Sequence, residues 1–435
     1  MQIGLANYML VVIIGSLIFR EIKENITTKE WFKIYKPTVF VGIILSFYTI
    51  LAPIYHKLAG IQTFRTVDHS PYLYYGWLAT LIFYLSYLAG FYTSRKKNKN
   101  KKGIFYLSDK QSFFYGNTIC ILSLSLFIFI KGLSWLILLN PFFYFGGLNF
   151  IASSYSAGAF TNLFNLAINF SMPGILLIWS SQLNKGNNYY ISILWMIVNI
   201  IFYVAIGFRY RIVILGLSVF LVYFFKKKKK PPIRIISLAA VLLIFISGFL
   251  GITRRYSEGL NFSELQGRGV NDVLSAAFQE TEPFYSSSAV IANAEANDDY
   301  IGMEPILNLV SAPIPREIWP NKPSGRYIFD RLGEIYTVIG SQGATVLNFV
   351  EYFLMYGWPS LIIISYGFGY FSRNIWNWFL SDYKNNFRVA VYFLFYALIY
   401  YLISRGYIGL SFNIISATFL PLILLRLFLA RTKNS

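Results

Sequence analysis

Long apolar stretches dominate this chain and exclude most soluble folds. Because a helix that crosses a bilayer needs about 20 apolar residues, we predict about eleven spans, at residues 3–19, 37–55, 71–93, 112–131, 159–181, 190–207, 212–225, 233–252, 348–370, 388–403 and 411–430. Only 13% of the 435 residues are charged, against about 25% in a typical soluble domain. The sequence therefore predicts an all-α polytopic membrane protein whose first stretch is a retained span rather than a signal peptide.

The predicted spans divide the chain into three parts. Residues 1–252 form an N-terminal bundle of about eight spans, residues 253–347 form one large loop, and residues 348–435 form a C-terminal bundle of about three spans. Prolines crowd the loop at Pro313–Pro323 and fix an extended path there. We also predict two short helices in the loop, at about residues 270–278 and 302–310, from apolar spacing and an early proline.

The positions of lysine and arginine predict the orientation, because both residues favour cytoplasmic loops. An outside N-terminus places 25 of the 38 basic residues inside. The C-terminus is then cytoplasmic, and the large loop faces outward. Since membrane topology explains the net charge of +19, we predict no nucleic-acid partner.

The kind of basic residue differs between the two sides. The cytoplasmic set has 18 Lys and 7 Arg, whereas the external set has 3 Lys and 10 Arg. Topology needs only charge, but the planar fork of arginine matches the oxygens of a phosphate or carboxylate in pairs. Five external arginines lie where spans end, at the level of a lipid-linked diphosphate: Arg209, Arg211, Arg254, Arg255 and Arg405. The alternative is that these side chains snorkel to ordinary lipid phosphates.

Few motifs for catalysis are present. There are two histidines, His56 and His69, and no CxxC zinc pattern, P-loop or GxSxG elbow, so we predict neither a metal site nor ATP-driven transport. Glu280-Thr-Glu282 is interpreted as a pair of solvated acids, and the alternative is that it holds a cation. Glu351 is the one acid inside an apolar run, and an ionisable group near the membrane is a functional candidate by default. Its alternative role is an ion pair with an external arginine.

Three motifs carry a resemblance to a known family. Residues 315–323 read Pro-Arg-Glu-Ile-Trp-Pro-Asn-Lys-Pro, which has the form Pro-Arg-x-x-Trp-Pro-x-Lys-Pro, and Gly207-Phe-Arg209 matches a Gly-x-Arg turn. Glu351 and Gly357 keep the spacing of a third segment, in which Val350, Tyr356 and Ser360 replace the family's residues. On these motifs and on its architecture, the chain resembles the Wzy-type polymerases, which join oligosaccharide repeat units of O-antigen or capsule.

The resemblance implies a fold of the C-type glycosyltransferase class and a metal-independent enzyme without a cofactor. The expected substrate is an undecaprenyl-diphosphate-linked oligosaccharide on the outer face of a bacterial plasma (inner) membrane. Membrane lipid, a chain-length regulator and a flippase are the expected partners. A polysaccharide ligase of similar architecture is the nearest alternative; a lipid-linked oligosaccharide flippase is another, although such transporters usually show internal repeats, which we do not find.

Each candidate residue is assigned a role under this hypothesis. Glu351 and Arg316 are the catalytic candidates, Glu351 as the base that takes the proton of the acceptor hydroxyl. The external arginines named above would bind the diphosphate and stabilise it as it leaves. The glycan-binding candidates are Trp319, Lys322 and Tyr327.

Overall fold

The computed structural model describes residues 4–93, 105–131, 167–185, 189–206, 209–255, 259–336 and 344–431, except residues 62, 66, 280, 312, 313, 315–317, 322, 324 and 325. Helices dominate this part of the chain. The described strands form two short antiparallel ribbons, in which β1 (Thr63–Phe64) pairs with β2 (Val67–Asp68) and β3 (Arg254–Arg255) pairs with β4 (Gly259–Leu260). Arg316 and Lys322, two of the predicted site residues, lie outside the described residues.

We number the α-helices of the described residues α1 to α16 in chain order. Their bounds are Leu5–Thr27, Pro37–Ser46, Ala52–Leu58, Leu73–Thr93, Asp109–Lys131, Ser171–Lys185, Tyr190–Ile206, Arg209–Lys226, Ile233–Thr253, Val270–Gln279, Glu282–Asn297, Glu304–Ser311, Tyr327–Ile335, Asn348–Leu380, Asn386–Ser404 and Ile408–Arg431. A π-helical turn, Phe47–Leu51, joins α2 to α3, and a 3₁₀ turn, Ala167–Phe170, precedes α6.

Several of these helices fit a membrane. Within the described residues, six are long and apolar enough to cross one: Leu5–Thr27, Pro37–Leu58, Asp109–Phe129, Ile233–Thr253, Asn386–Ser404 and Ser411–Ala430. Each overlaps a span predicted from the sequence. A shorter apolar helix covers Tyr190–Ala205. The architecture is therefore that of an all-α membrane protein.

Both short helices predicted in the large loop are confirmed, as α10 and α12. The loop also contains two helices that the sequence pattern did not predict, α11 and α13. Helix α11 is buried along most of its length, from Pro283 to Ala292. Since all of its faces are covered, it shows no amphipathic pattern.

The chain forms two compact units, each assembled from three separate stretches. The first unit comprises Met1–Lys97, Phe278–Trp378 and Ile399–Phe412, and the second comprises Asn98–Ala277, Phe379–Leu398 and Asn413–Ser435. Residues 253–347, predicted as one loop, are thus shared between the two units.

Close helix packing within each unit depends on glycine. In the first unit, α11 packs on α4 at Gly76, where a Cβ would collide with the Ser288 side chain. In the second unit, Gly116 of α5 faces Gly174 of α6, and a Cβ on either residue would lie 2.7 Å from the carbonyl oxygen of the other. Small residues let helix backbones approach in this way inside membranes.

Candidate functional site

Glu351 lies in the first turn of α14 and is 1% exposed. The Tyr327 hydroxyl donates a hydrogen bond to Oε1 of this carboxylate, and the backbone N–H of Ile408 donates to Oε2 at 2.7 Å. Within the described residues, both hydrogen-bond partners are therefore uncharged. This arrangement differs from the alternative in which Glu351 pairs with an external arginine.

The Ile408 N–H is available because Ile408 is the first residue of α16. The first N–H groups of a helix have no partner within the helix, and the positive end of the helix dipole favours a carboxylate. The preceding turn is fixed to the start of α14, since the Gly406 N–H donates to the Val346 carbonyl at 2.7 Å. A Cβ on Gly406 would collide with the carbonyl of Leu347, so a glycine is needed for this approach.

Tyr327 begins α13 and is 3% exposed. Burial, together with the neighbouring Glu351 carboxylate, raises the pKa of the Tyr327 hydroxyl, which therefore remains a donor. We expected Tyr327 to offer a flat face to a sugar ring. The structure instead directs its hydroxyl at Glu351 and places its ring 5.8 Å from that of Tyr407.

Arg405 lies in the same turn as Gly406. Its guanidinium Nη1 donates to the Thr345 hydroxyl at 3.3 Å, three residues before α14 begins. The first unit therefore brings Glu351 and Tyr327 into contact, and Arg405 belongs to the same unit, where it contacts Thr345. Trp319 also belongs to this unit, is 40% exposed, and has the accessibility that a glycan-binding side chain needs.

The other four predicted arginines belong to the second unit. Arg211, in the first turn of α8, is 3% exposed, and its guanidinium carbon lies 5.9 Å from the centre of the Tyr203 ring and 5.8 Å from that of Tyr210. A cation placed over aromatic rings is attracted by their quadrupoles. Because Arg211 is buried among aromatic side chains, the snorkelling alternative is wrong for this residue.

Arg254 and Arg255 form strand β3, whose ribbon packs against α7. Helix α7 ends at Ile206, three residues before Arg209 begins α8. The same helix therefore contacts the ribbon that carries Arg254 and Arg255, and it ends three residues before the helix that carries Arg209 and Arg211.

A second buried polar cluster in the first unit was not predicted. His56 Nδ1 lies 2.9 Å from the Tyr285 hydroxyl, and His69 Nε2 lies 3.1 Å from the Tyr336 hydroxyl. Both histidines are fully buried. Burial lowers the pKa of His69 to about 4, so its ring is neutral at pH 7. Sequence reasoning missed the cluster because Tyr285 belongs to α11, which has no recognisable period.

The interpretation of Glu282 as a solvated acid is wrong. Its carboxylate forms an ion pair with Arg65, and its side chain is 15% exposed. Arg65 also lies over the Tyr336 ring, with its guanidinium carbon 5.8 Å from the ring centre, so the ion pair adjoins the histidine–tyrosine cluster. Glu280 lies outside the described residues.

Comparisons of the chain with family models, with curated proteins and with solved structures give no match.

Proposed function

We propose that the chain is a membrane glycosyltransferase that polymerises undecaprenyl-diphosphate-linked oligosaccharide repeat units on the outer face of a bacterial plasma (inner) membrane. One observation carries the proposal: a buried carboxylate, Glu351, is held by a tyrosine hydroxyl and by a backbone N–H at a helix N-terminus. A carboxylate positioned in this way has the chemistry of a general base.

The proposed reaction is a displacement at the anomeric carbon of the donor. A hydroxyl oxygen of the acceptor repeat unit attacks the anomeric carbon of the lipid-linked donor chain, and its proton passes to Glu351. The bond between the anomeric carbon and the diphosphate oxygen breaks, and the lipid diphosphate leaves with the electron pair. The acceptor hydroxyl would take the place of the Tyr327 hydroxyl at Oε1, while the Ile408 N–H continues to hold Oε2.

The arginines supply the positive charge that a leaving diphosphate needs. Arg211 is buried, and its guanidinium lies over the rings of Tyr203 and Tyr210. Arg209, Arg254 and Arg255 belong to the same unit. Arg316 and Lys322 complete the proposal as the groups that orient the acceptor, with Trp319 as a face for sugar rings.

The number of spans, the membrane topology and the fold class are part of the same proposal. It comprises eleven spans, an outside N-terminus, a cytoplasmic C-terminus and a C-type glycosyltransferase fold. The active site would then face the periplasm or the cell exterior. This orientation is supported by the placement of 25 of the 38 basic residues on the cytoplasmic side.

Extension of a defined undecaprenyl-diphosphate repeat unit by purified protein tests the function. Wild type should produce a ladder of polymer without any added acceptor, and a chelator should leave the ladder unchanged. Glu351→Gln should lower the rate about 100-fold or more, because a general base contributes about 10²- to 10⁴-fold. Glu334→Gln is the matched control, since Glu334 is an exposed carboxylate on α13, and should retain the wild-type rate.

Full turnover by Glu351→Gln would remove Glu351 from the mechanism. Polymer that appears only after a lipid or protein acceptor is added would identify a ligase instead. Transport of the lipid-linked unit without any product would identify a flippase.

A further inference from the structure

In the second unit, the apolar helices α5 and α16 line a groove with a volume of about 650 Å³, which is in the range of ligand pockets in proteins. Phe170, Ile119 and Leu425 line the groove and are buried, so they form its floor. Leu122 and Leu424 also line it and are each 55% exposed, so the groove is open along one side. Because both helices are long and apolar enough to cross a membrane, this open side is accessible to lipid.

The lining of the groove suits hydrocarbon. The hydroxyls of Thr118 and Ser123 line it but already donate to backbone carbonyls, of Phe114 at 3.1 Å and of Ala167 at 2.6 Å. Apart from Tyr115, the other lining side chains are apolar. Dry apolar cavities bind apolar molecules rather than water, and in a membrane the abundant apolar molecule is a lipid chain.

The groove is too narrow to receive a helix of a partner protein or of a second copy of the chain. Its lining residues on α5 extend from Phe114 to Leu126, which is about 18 Å of helix. A volume of about 650 Å³ over that length gives a mean cross-section of about 36 Å². A helix 10 Å in diameter has a cross-section of about 80 Å², whereas a hydrocarbon chain is thin enough to enter.

Tyr115 is the polar exception in the lining. It is half-buried, and its hydroxyl makes no hydrogen bond to the part of the chain that the structure describes. A tyrosine hydroxyl in apolar surroundings usually has a partner, and it can donate to an oxygen of a ligand. The molecule that fills the groove should therefore present an oxygen acceptor at the depth of Tyr115.

A cation lies beyond the same end of the groove. Lys110 precedes Phe114 by one turn, on the same face of α5, and its side chain is exposed. Within the described residues it makes no ion pair. The carboxylate of its neighbour Asp109 accepts from the amides of Asn184 and Asn386, each at 2.7 Å. The Lys110 ammonium is therefore available to an anion.

The order of these groups along α5 is that of a phospholipid. Lys110 and Tyr115 are five residues apart, about 7.5 Å along the helix, and the apolar lining continues from there to Leu126. In a phospholipid the phosphate is outermost, the ester carbonyls come next, and the acyl chains are deepest. In a prenyl phosphate the hydrocarbon begins at the phosphate, so no oxygen would lie at the depth of Tyr115.

We propose that the groove binds one phospholipid of the membrane. Its acyl chains lie along α5 and α16, an ester carbonyl accepts a hydrogen bond from the Tyr115 hydroxyl, and its phosphate lies beside Lys110. The site is built from the second unit alone, whereas Glu351 belongs to the first. The bound lipid joins α5 to α16, a role that does not depend on the proposed glycosyltransferase activity.

Native mass spectrometry of the purified, delipidated full chain tests the inference. The probes are phosphatidylglycerol, undecaprenyl phosphate and inorganic phosphate. Wild type should bind one phosphatidylglycerol in preference to the other two, and this lipid should raise the unfolding midpoint because it binds the folded state. Leu122→Trp should weaken its binding about tenfold or more, since the indole fills the groove. Ile121→Trp is the matched control, because Ile121 is exposed on α5 outside the groove, and should bind as wild type does.

Two further variants test the polar contacts. Tyr115→Phe should weaken phosphatidylglycerol binding about three- to tenfold, the effect of one hydrogen bond, and leave undecaprenyl phosphate unaffected. Its control is Tyr190→Phe, at a tyrosine of α7 that is exposed and does not line the groove. Lys110→Gln should weaken phosphatidylglycerol binding and make it less sensitive to salt. Without lipid, Tyr115→Phe should have the unfolding midpoint of wild type, because the hydroxyl that it removes is unpaired.

Several results would overturn the inference. A wild type that binds no phosphatidylglycerol, or a Leu122→Trp protein that binds it as wild type does, would remove the site. Unchanged phosphatidylglycerol binding by Tyr115→Phe would discard the ester contact and with it the choice of a phospholipid. Undecaprenyl phosphate that binds more tightly and is lost in Leu122→Trp would assign the groove to an isoprenoid. Inorganic phosphate bound as tightly as the phospholipid would leave only an anion at Lys110, and a dimer that Leu122→Trp dissociates would assign the groove to a second copy.

Discussion

Two buried ionisable side chains of the first unit each face a tyrosine hydroxyl. Tyr327 donates to Glu351, and Tyr336 lies within hydrogen-bond distance of His69. A buried charge is costly unless it is hydrogen-bonded. The carboxylate has two donors, whereas the histidine is neutral at pH 7.

The stability of the protein should fall in mild acid because of His69. Its pKa is about 4 in the folded protein, against about 6.5 in an unfolded chain. Above pH 6.5 the ring is neutral in both states, so it adds no pH dependence. Between pH 6.5 and 4, only the unfolded chain takes up the proton, and the free energy of unfolding should fall, by about 2 kcal/mol at pH 5.

Thermal unfolding in detergent at pH 7 and pH 5 measures this effect. In His69→Gln, which keeps an amide near the Tyr336 hydroxyl, the midpoint should change less between the two pH values than in wild type. The neighbouring charges, Asp68 and Arg65, remain in both proteins. An equal change in the two proteins would show that His69 does not set the pH response.

The sequence revealed some of these residue-scale features and concealed others. The apolar neighbours of Glu351 predicted its burial, and the external excess of arginine drew attention to Arg211. The second donor of Glu351 is the backbone N–H of a residue 57 positions later, and no side-chain pattern marks such a group.

At the scale of a helix, the most informative element is α14, which bends at Tyr356 and Gly357. Gly357 has φ 68° and ψ −147°, a conformation essentially restricted to glycine. The Ser360 hydroxyl compensates for the bend, since it accepts from the Tyr356 N–H at 2.9 Å and donates to the Tyr352 carbonyl at 2.7 Å. Ser360 and Tyr356 are two positions at which the sequence differs from the motif of the Wzy-type polymerases. In this structure the serine forms the hydrogen bonds that accompany the bend.

Gly357→Ala should therefore destabilise the protein by about 1–3 kcal/mol, because alanine is strained in this conformation. Its Cβ would also lie 3.3 Å from the Tyr300 hydroxyl. Gly367→Ala, in the same helix, is the control: nothing lies within 4 Å of its Cβ, and alanine favours a helix. Unfolding midpoints of the two variants measure the difference, and equal midpoints would show that the bend does not require glycine.

Whether a helix could be predicted from the sequence depended on how much of its surface is buried in the fold. Helix α10 has one apolar face, and the spacing of Val270, Val273 and Ala277 identified it. Helix α11 is covered on all sides and rich in serine and alanine, so its sequence lacks the alternation on which prediction depends. Apolar runs identified the membrane helices because a helix needs about 20 apolar residues to cross a bilayer, and a run of that length can be recognised in the sequence.

At the scale of the whole molecule, the two units alternate along the chain. Hydropathy predicted three consecutive parts, whereas the structure assembles each unit from three stretches. Contacts between distant stretches leave no trace in a hydropathy profile. The orientation, by contrast, depends on charge alone and can be tested directly.

Single cysteines should report the orientation. Asn321→Cys, exposed in the large loop, should react with a membrane-impermeant maleimide in intact spheroplasts, whereas Lys227→Cys, exposed between α8 and α9, should react only after permeabilisation. Wild type is the control, because its single cysteine, Cys120, is fully buried. The reverse labelling pattern would place the large loop in the cytoplasm.

The alternation of the units also has a consequence during synthesis. His56 leaves the ribosome before its hydrogen-bond partner Tyr285, which follows 229 residues later. At a synthesis rate of about 5–20 residues per second, Tyr285 is made on the order of 10 to 50 s after His56. The helices made before Tyr285 must therefore be stable in the bilayer without some of their packing partners. They reach their native contacts only after the later segments have been made.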